Sequence, residues 1–300
     1  MPTNKGSIRL FRLAGITVYL HWAWFIAFFY LTTRPSGYSS YVWNAAEILV
    51  LFLIVLMHEF GHQLACRSVG GQTHDIVLWP LGGVAYVTPP QRPGAQLWSI
   101  AAGPLVNVVL VPVFAGLWSL AYRFQLYETH PDLYVLVHSI WMINLVLLCF
   151  NLLPVFPLDG GQILRSLLWF VFGRANSLLI ASVIGFFGVA GLLGVAIFFQ
   201  SIWLGLLTAY IAMNCWAGFV QAQELRRRCG APVYNGYACP VCKTPPPQGN
   251  FWRCMKCGQK FDAIGNQLAC PHCGTRYSGM ACLECGAVTQ FVDWMKPAGE

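Results

Sequence analysis

The residues best suited to chemistry fall in two clusters. The first is HEFGH, in which His58 and His62 stand at i and i+4, on one face of a helix, where two imidazoles can share a zinc ion. Glu59, between them, is placed to take a proton from water activated at that ion. The second is a run of four CxxC pairs, Cys239–Cys242, Cys254–Cys257, Cys270–Cys273 and Cys282–Cys285. The first two pairs enclose eleven residues and the last two enclose eight, which predicts tandem zinc ribbons. Cys239, Cys242, Cys254 and Cys257 would form one tetrahedral site, and Cys270, Cys273, Cys282 and Cys285 the next. Gly258, Gly274 and Gly286 follow their pairs where a metal knuckle turns tightly. Disulfides and a rubredoxin-like iron site are the competing readings, and a reducing cytoplasm disfavours the former. Cys66, Cys149, Cys215 and Cys229 read as small packing residues.

The elements that carry the first cluster are unusual for a soluble enzyme. Hydrophobic residues make up 57% of the 300, charged residues only 10%, and mean hydropathy is +0.56. These values predict a polytopic membrane protein. Six apolar stretches are candidate spans: Ile16–Thr33, Ala45–Cys66, Leu97–Tyr122, Leu133–Leu153, Leu178–Phe199 and Ile202–Val220. The HEFGH residues lie inside the second. Three ionisable groups at that depth are costly unless they hold a metal, which weighs against a core helix with merely satisfied histidines. The last two stretches contain no ionisable residue and read as scaffold.

Lys5, Arg9 and Arg12 precede the first stretch without a small-x-small cleavage site after it, so it reads as a retained span. Placing both termini in the cytoplasm puts Arg67, Arg92, Arg165, Arg174 and Arg226–Arg228 inside, leaving Arg34 and Arg123 outside. The net charge of +7 is then an anchoring signature rather than a nucleic-acid footprint. Trp252, Lys256 and Lys260 read as a solvated ribbon face. His21, beside Trp22 and Trp24, reads as a structural hydrogen bonder at a membrane interface, and the turn-rich Pro35–Tyr41 as an outer loop.

A catalytic zinc needs a third protein ligand and an open position. Asp159, His138, His74 and Glu47 are at plausible depth. Asp159 is favoured, because LLPVFPLDGG cannot continue a helix past Pro154 and Pro157, and Gly160–Gly161 permits a sharp turn. Irregular backbone at such depth is tolerated only within protein or beside a wet cavity. Asn107, Asn144 and Asn151 place amides in apolar helices, and Gly103 allows close helix approach. DIVLWPLGGVAYVT (Asp75–Thr88) reads as a hairpin able to dip into the membrane, with an interfacial loop as the alternative.

Together these stretches resemble the site-2 protease family of intramembrane zinc metalloproteases. HEFGH (His58–His62), GPLVN (Gly103–Asn107) and NLLPVFPLDGG (Asn151–Gly161) match its motifs in order, and WPLGGVA (Trp79–Ala85) looks like its membrane-associated hairpin. The N-terminal stretch through His21–Trp24 is similar to a bacterial and archaeal branch, and the resemblance covers about Gly6 to Gln221. It implies that His58, His62 and Asp159 hold zinc, that Glu59 is the general base and later proton donor, and that Asn151 steadies the substrate carbonyl or its oxyanion.

The expected architecture is therefore an α-helical polytopic membrane protein of about six transmembrane helices with a membrane-associated β-hairpin. A small β-rich double zinc ribbon follows. The divisions are 1–222 for the intramembrane metalloprotease domain, 223–236 for a basic juxtamembrane linker and 237–300 for the ribbons. The expected activity is endopeptidase cleavage of locally unwound transmembrane segments in regulated intramembrane proteolysis, with one catalytic and two structural zinc ions. Its partners would be a transmembrane protein substrate, the lipid bilayer and, for the ribbons, a cytosolic protein; nucleic acid is not expected. The alternatives are a catalytically silent membrane scaffold whose ribbons recruit a partner, and a zinc transporter or sensor. The scaffold has no need of Glu59, and the transporter would need polar residues across the last two spans.

Overall fold

The computed structural model describes residues 6–33, 37–79 and 82–295; Lys5, Arg34, Pro35 and Pro80 of the sequence reading lie outside them. The chain divides into two compact units, residues 1–173 with 177–219, and residues 174–176 with 220–300.

The first unit opens with a hairpin, β1 (Ser7–Leu13) and β2 (Ile16–His21). Its two-residue turn has positive φ at both Ala14 (50°) and Gly15 (80°), the geometry whose twist suits antiparallel strands. Helix α1 (Ala23–Thr32) follows, then α2 (Tyr41–Ser68) with the HEFGH residues. Next come β3 (Gln72–Trp79) and β4 (Gly82–Thr88), an antiparallel pair that bears out the expected hairpin. Strand order is β1-β2-β3-β4, with β2 parallel to β3 and the edges at β1 and β4. One face of the sheet buries Ile16, Val18, Ile76 and Leu78 against Ile48 and Leu56 of α2 and Trp24 of α1.

The first expected span is corrected here. Ile16–Thr33 is no continuous helix: it begins as a strand, in which Thr17 pairs with Arg12 of β1 while β-branched Val18 and aromatic Tyr19 pair with β3, and its helix has ten residues. Ten residues rise about 15 Å, half of a bilayer core. Strand and helix together still run the length of α2. The Ala14 carbonyl accepts from Arg67 Nη1 (2.6 Å) near one end of α2, and the Thr32 carbonyl accepts from Asn44 Nδ2 (3.4 Å) near the other. Asn44 to Arg67 is about 35 Å of helix.

Among the described residues five helices are long and apolar enough to cross a membrane: α2, α3 (Pro93–Arg123), α5 (Pro131–Asn151), α6 (Asp159–Phe198) and α7 (Ile202–Cys229), with the single turn α4 (Leu126–Thr129) between α3 and α5. Apolar side chains such as Val109, Val146 and Phe187 are exposed on them, as lipid-facing positions require. Helix α6 is interrupted at Gly173, whose backbone (φ 74°, ψ 172°) is open essentially to glycine alone. The later parts of α6 and α7 pack against the loop before Asp159. Val155 packs with Ile211 and Cys215, and the Cys215 thiol donates to the Phe156 carbonyl (2.7 Å), steadying the irregular loop before Asp159.

In the second unit α7 continues to Cys229, so residues 223–229 of the expected linker are helical, with Arg226–Arg228 in the last turn. Glu224 pairs with Arg228 (3.4 Å) and with Lys260 (3.0 Å). The cysteine region contains two short hairpins, β5 (Trp252–Arg253) with β6 (Lys260–Phe261) and β7 (Gly279–Ala281) with β8 (Val288–Gln290), then a 3-10 turn, Phe291–Met295. Its core is Trp252, Phe261, Ile264, Leu268, Met280 and Trp294. Trp252 is thus a core residue rather than part of a solvated face, with its Nε1 donating to the Ala281 carbonyl (3.1 Å).

Candidate active site

Three side chains from two helices converge on one point. Helix α2 presents His58 and His62, and the first residue of α6 presents Asp159; their ligand atoms all lie within 4.8 Å of one another. His58 Nε2 is 3.0 Å from Asp159 Oδ2 and 3.1 Å from His62 Nε2, and His62 Nε2 is 3.4 Å from Asp159 Oδ2. Of the four candidate third ligands, Asp159 alone joins the histidines. His138 packs edge-on against Trp118, Glu47 accepts a hydrogen bond from Tyr38, and His74 is exposed on β3.

Glycines make the convergence possible. A Cβ on Gly103 of α3 would lie 2.3 Å from His62 Nε2 and 2.8 Å from His58 Nε2. One on Gly83 of β4 would lie 2.4 Å from Glu59 Cγ, so the edge strand runs directly against that glutamate. Gly160 and Gly161 let the start of α6 press onto the Leu152–Phe156 loop, where added Cβ atoms would meet backbone at 2.3–2.4 Å.

The far side of each imidazole is also engaged. His62 Nδ1 is 2.9 Å from the Ser99 carbonyl, which can only accept, so Nδ1 carries the proton and the Nε2 lone pair faces the shared point. His58 Nδ1 is 2.6 Å from Asn107 Oδ1. Asn107 Nδ2 donates to Asn144 Oδ1 (2.8 Å), and Asn144 Nδ2 donates to the Asn107 carbonyl (3.0 Å). Two nitrogen lone pairs and a carboxylate oxygen facing each other in a buried site repel unless a cation lies between them, and imidazole with carboxylate is a zinc donor set. The residues present fit that ion. Asn151 ends α5, half-buried, two turns beyond Asn144 and on the same helical face. Asn107 and Asn144 are legible in sequence as amides in apolar helices, whereas nothing in the sequence marks the Ser99 carbonyl.

The eight cysteines form two groups, but not those the sequence spacing suggests. Cys239 and Cys242 join Cys282 and Cys285, while Cys254 and Cys257 join Cys270 and Cys273. The pairs are nested rather than sequential. The chain between Cys257 and Cys270 folds back through Phe261, Ile264 and Leu268 into the core, so the inner group is closed by this segment and the outer pairs meet around it. Each pair forms the same knuckle, with the following N–H donating to the first cysteine's carbonyl (all 2.9 Å), from Lys243, Gly258, Gly274 and Gly286. Those four residues have φ between 61° and 77°, as the expected tight turns require.

The pattern of peptidase family M50 matches residues 46–129 and 123–195, a stretch that contains HEFGH, GPLVN and LDGG and ends before the cysteine pairs. The chain belongs to peptidase family M50. A zinc metalloprotease of Methanocaldococcus jannaschii is 35% identical over 179 residues, covering 60% of this chain and 50% of that one. A putative zinc metalloprotease of Synechocystis is 32% identical over 193 residues, with 60% and 49% covered. The chain spans about half the length of these curated relatives. The solved site-2 protease from M. jannaschii superposes with a TM-score of 0.50 at 29% identity, over 71% of this M50 chain and 95% of its own.

Proposed function

We propose that this M50 protein is an intramembrane zinc endopeptidase cleaving locally unwound transmembrane segments of membrane proteins in regulated proteolysis. The observation that carries the reading is the convergence of His58, His62 and Asp159 beside Glu59, inside helices long and apolar enough to cross a bilayer. Those three side chains would hold a zinc ion, which would supply the Lewis acidity needed to polarise a scissile carbonyl and acidify water. Glu59 takes the proton from the attacking water and returns it to the leaving amine. Asn151, at the mouth of the irregular loop, steadies the oxyanion. A transmembrane helix hides its peptide bonds, so the substrate must unwind. The edge strand β4, whose Gly83 lies against Glu59, is the surface on which an unwound segment can add as a strand. The eight cysteines hold two structural zinc ions, one per nested group, in a unit suited to docking a cytosolic protein. Residues 1–222 are then the protease domain, 223–236 the basic juxtamembrane link and 237–300 the ribbons.

Glu59→Gln should abolish cleavage of a transmembrane substrate in detergent, a fall of roughly 10²–10⁴-fold or more, while all three zinc ions stay bound. Full cleavage by that variant would overturn the assignment. We place both termini in the cytoplasm of a cell-membrane protein, with residues 124–132 outside. A Glu128→Cys thiol should react with a membrane-impermeant reagent in intact cells; labelling only after lysis would reverse the topology and reopen the disulfide alternative for the cysteine pairs.

A further inference from the structure

His58 differs from His62 in what fixes its tautomer. For His62 one peptide carbonyl suffices. For His58 the neighbour is a side-chain amide, and an amide presents either an acceptor or a donor depending on which way it is turned. The local alternative is real. With its proton on Nε2, His58 would donate to Asp159 Oδ2 at 3.0 Å and turn an N–H into the space where the ion belongs. Something must forbid that state, and it is found two hydrogen bonds away, on a different helix.

The chain of constraint starts at the Asn107 carbonyl, which can only accept. The end of Asn144 that faces it must therefore be Nδ2. This puts Asn144 Oδ1 opposite the Asn107 amide, which must answer with its own Nδ2. Asn107 Oδ1 is thereby left facing His58 Nδ1, so Nδ1 must carry the proton and Nε2 the lone pair. All three side chains are nine-tenths or more buried (Asn107 1%, Asn144 0%, His58 6% exposed), so water offers no substitute partner.

We infer that Asn144 of α5, which is hydrogen-bonded to Asn107 and lies outside the His58–His62–Asp159 cluster, is the positioning residue that selects the tautomer of His58 and so keeps the site open to its ion. The inference rests on the proposed zinc site but is read from the protein's own hydrogen bonds.

The test is zinc affinity of the full-length protein in detergent, measured by chelator competition, with the equivalent lost in His58→Ala marking the membrane site. Asn144→Leu keeps the branched heavy-atom shape, removes both hydrogen-bonding groups and frees the Asn107 amide to turn. It should weaken that site roughly 10–100-fold and leave the cysteine-bound zinc unchanged. Asn107→Asp offers acceptors at both oxygens and orients His58 without help, so Asn107→Asp/Asn144→Leu should recover most of the lost affinity. A role confined to packing α3 against α5 predicts no such rescue. In zinc-free protein, 15N shifts of the histidine rings should place the His58 proton on Nδ1 in wild type and on Nε2 in Asn144→Leu. Wild-type affinity in Asn144→Leu, no rescue in the double variant, or an unchanged tautomer would each overturn the inference. A wild-type chain that fills its cysteine sites and takes no zinc at His58 would instead overturn the metal centre itself, while the ring shifts would still report on the relay.

Discussion

The two kinds of candidate metal site in this chain are built on opposite plans. Each cysteine pair carries its geometry within itself: two thiols, one turn, one residue at positive φ, repeated four times. In the membrane site no ligand is held by its own neighbours. His58 depends on α3 and α5, His62 on a carbonyl of α3, and Asp159 on a loop buttressed by α6 and α7. The first plan is local and tolerant. The second spreads the requirement over residues that never touch the ion, and that difference can be measured.

The largest effect should come from one methyl group. Gly103→Ala would put a Cβ 2.3 Å from His62 Nε2, so α3 must withdraw or the imidazole must leave. We expect loss of the membrane zinc and of all cleavage, with the cysteine-bound zinc intact. The same substitution at Gly258 (φ 73°) meets no atom within 4 Å and only strains the backbone. A side chain in that conformation costs about 1–2 kcal/mol, against the 10 kcal/mol or more typical of a structural zinc site. Lys243 already occupies the equivalent position with φ 61°. Gly258→Ala should therefore weaken its zinc by about tenfold and keep the stoichiometry. Loss of the ion in Gly258→Ala, or an active Gly103→Ala enzyme, would break the contrast.

A second effect tests the nesting. Replacing Cys239, Cys242, Cys282 and Cys285 by serine should remove one zinc and spare the inner group. Replacing Cys239, Cys242, Cys254 and Cys257 should remove both. Native mass spectrometry counts the ions, and the reverse result would restore the sequential pairing that spacing alone suggests.

That pairing marks the boundary of what was legible. Ligand types, knuckle glycines and the HEFGH register are local patterns: the candidate side chains cluster, and the glycines take positive φ. Which pairs meet depends on the path of residues 258–269, where Phe261, Ile264 and Leu268 are drawn into a core that Trp252 and Trp294 complete. A short cysteine-rich segment gives no sign of such a core in its periodicity. The N-terminal hairpin was hidden differently. Ile16–His21 is as apolar as a membrane helix, and only the Ala14–Gly15 turn and the β-branched residues after it betray a strand. Asp159 was legible because prolines and glycines announce irregular backbone. Gly83 was not, since in sequence it reads as part of a hairpin turn and only the folded strand sets it on Glu59.

The smallest effect lies at the inner cysteine group, where the local plan has one reinforcement from outside the knuckles. The Tyr277 hydroxyl accepts from the Met255 N–H (2.9 Å), so its own proton is free for Cys254 Sγ at 3.0 Å. That hydrogen bond favours the thiolate and holds the Cys254 thiol below its ordinary pKa. Zinc binds the thiolate, and protons compete for it as pH falls. Tyr277→Phe removes the bond, so the Cys254 pKa rises toward its usual value and protons win at a higher pH. The midpoint of acid-induced release from the inner group should move up by a fraction of a pH unit, because the cost at one thiol is shared among all those protonated together. The outer group, whose cysteines are not hydrogen-bonded to the Tyr277 hydroxyl, is the internal reference and should not move. A downward shift, or an equal shift at both groups, would show that the hydroxyl acts on the fold of the unit and not on the thiolate beside it.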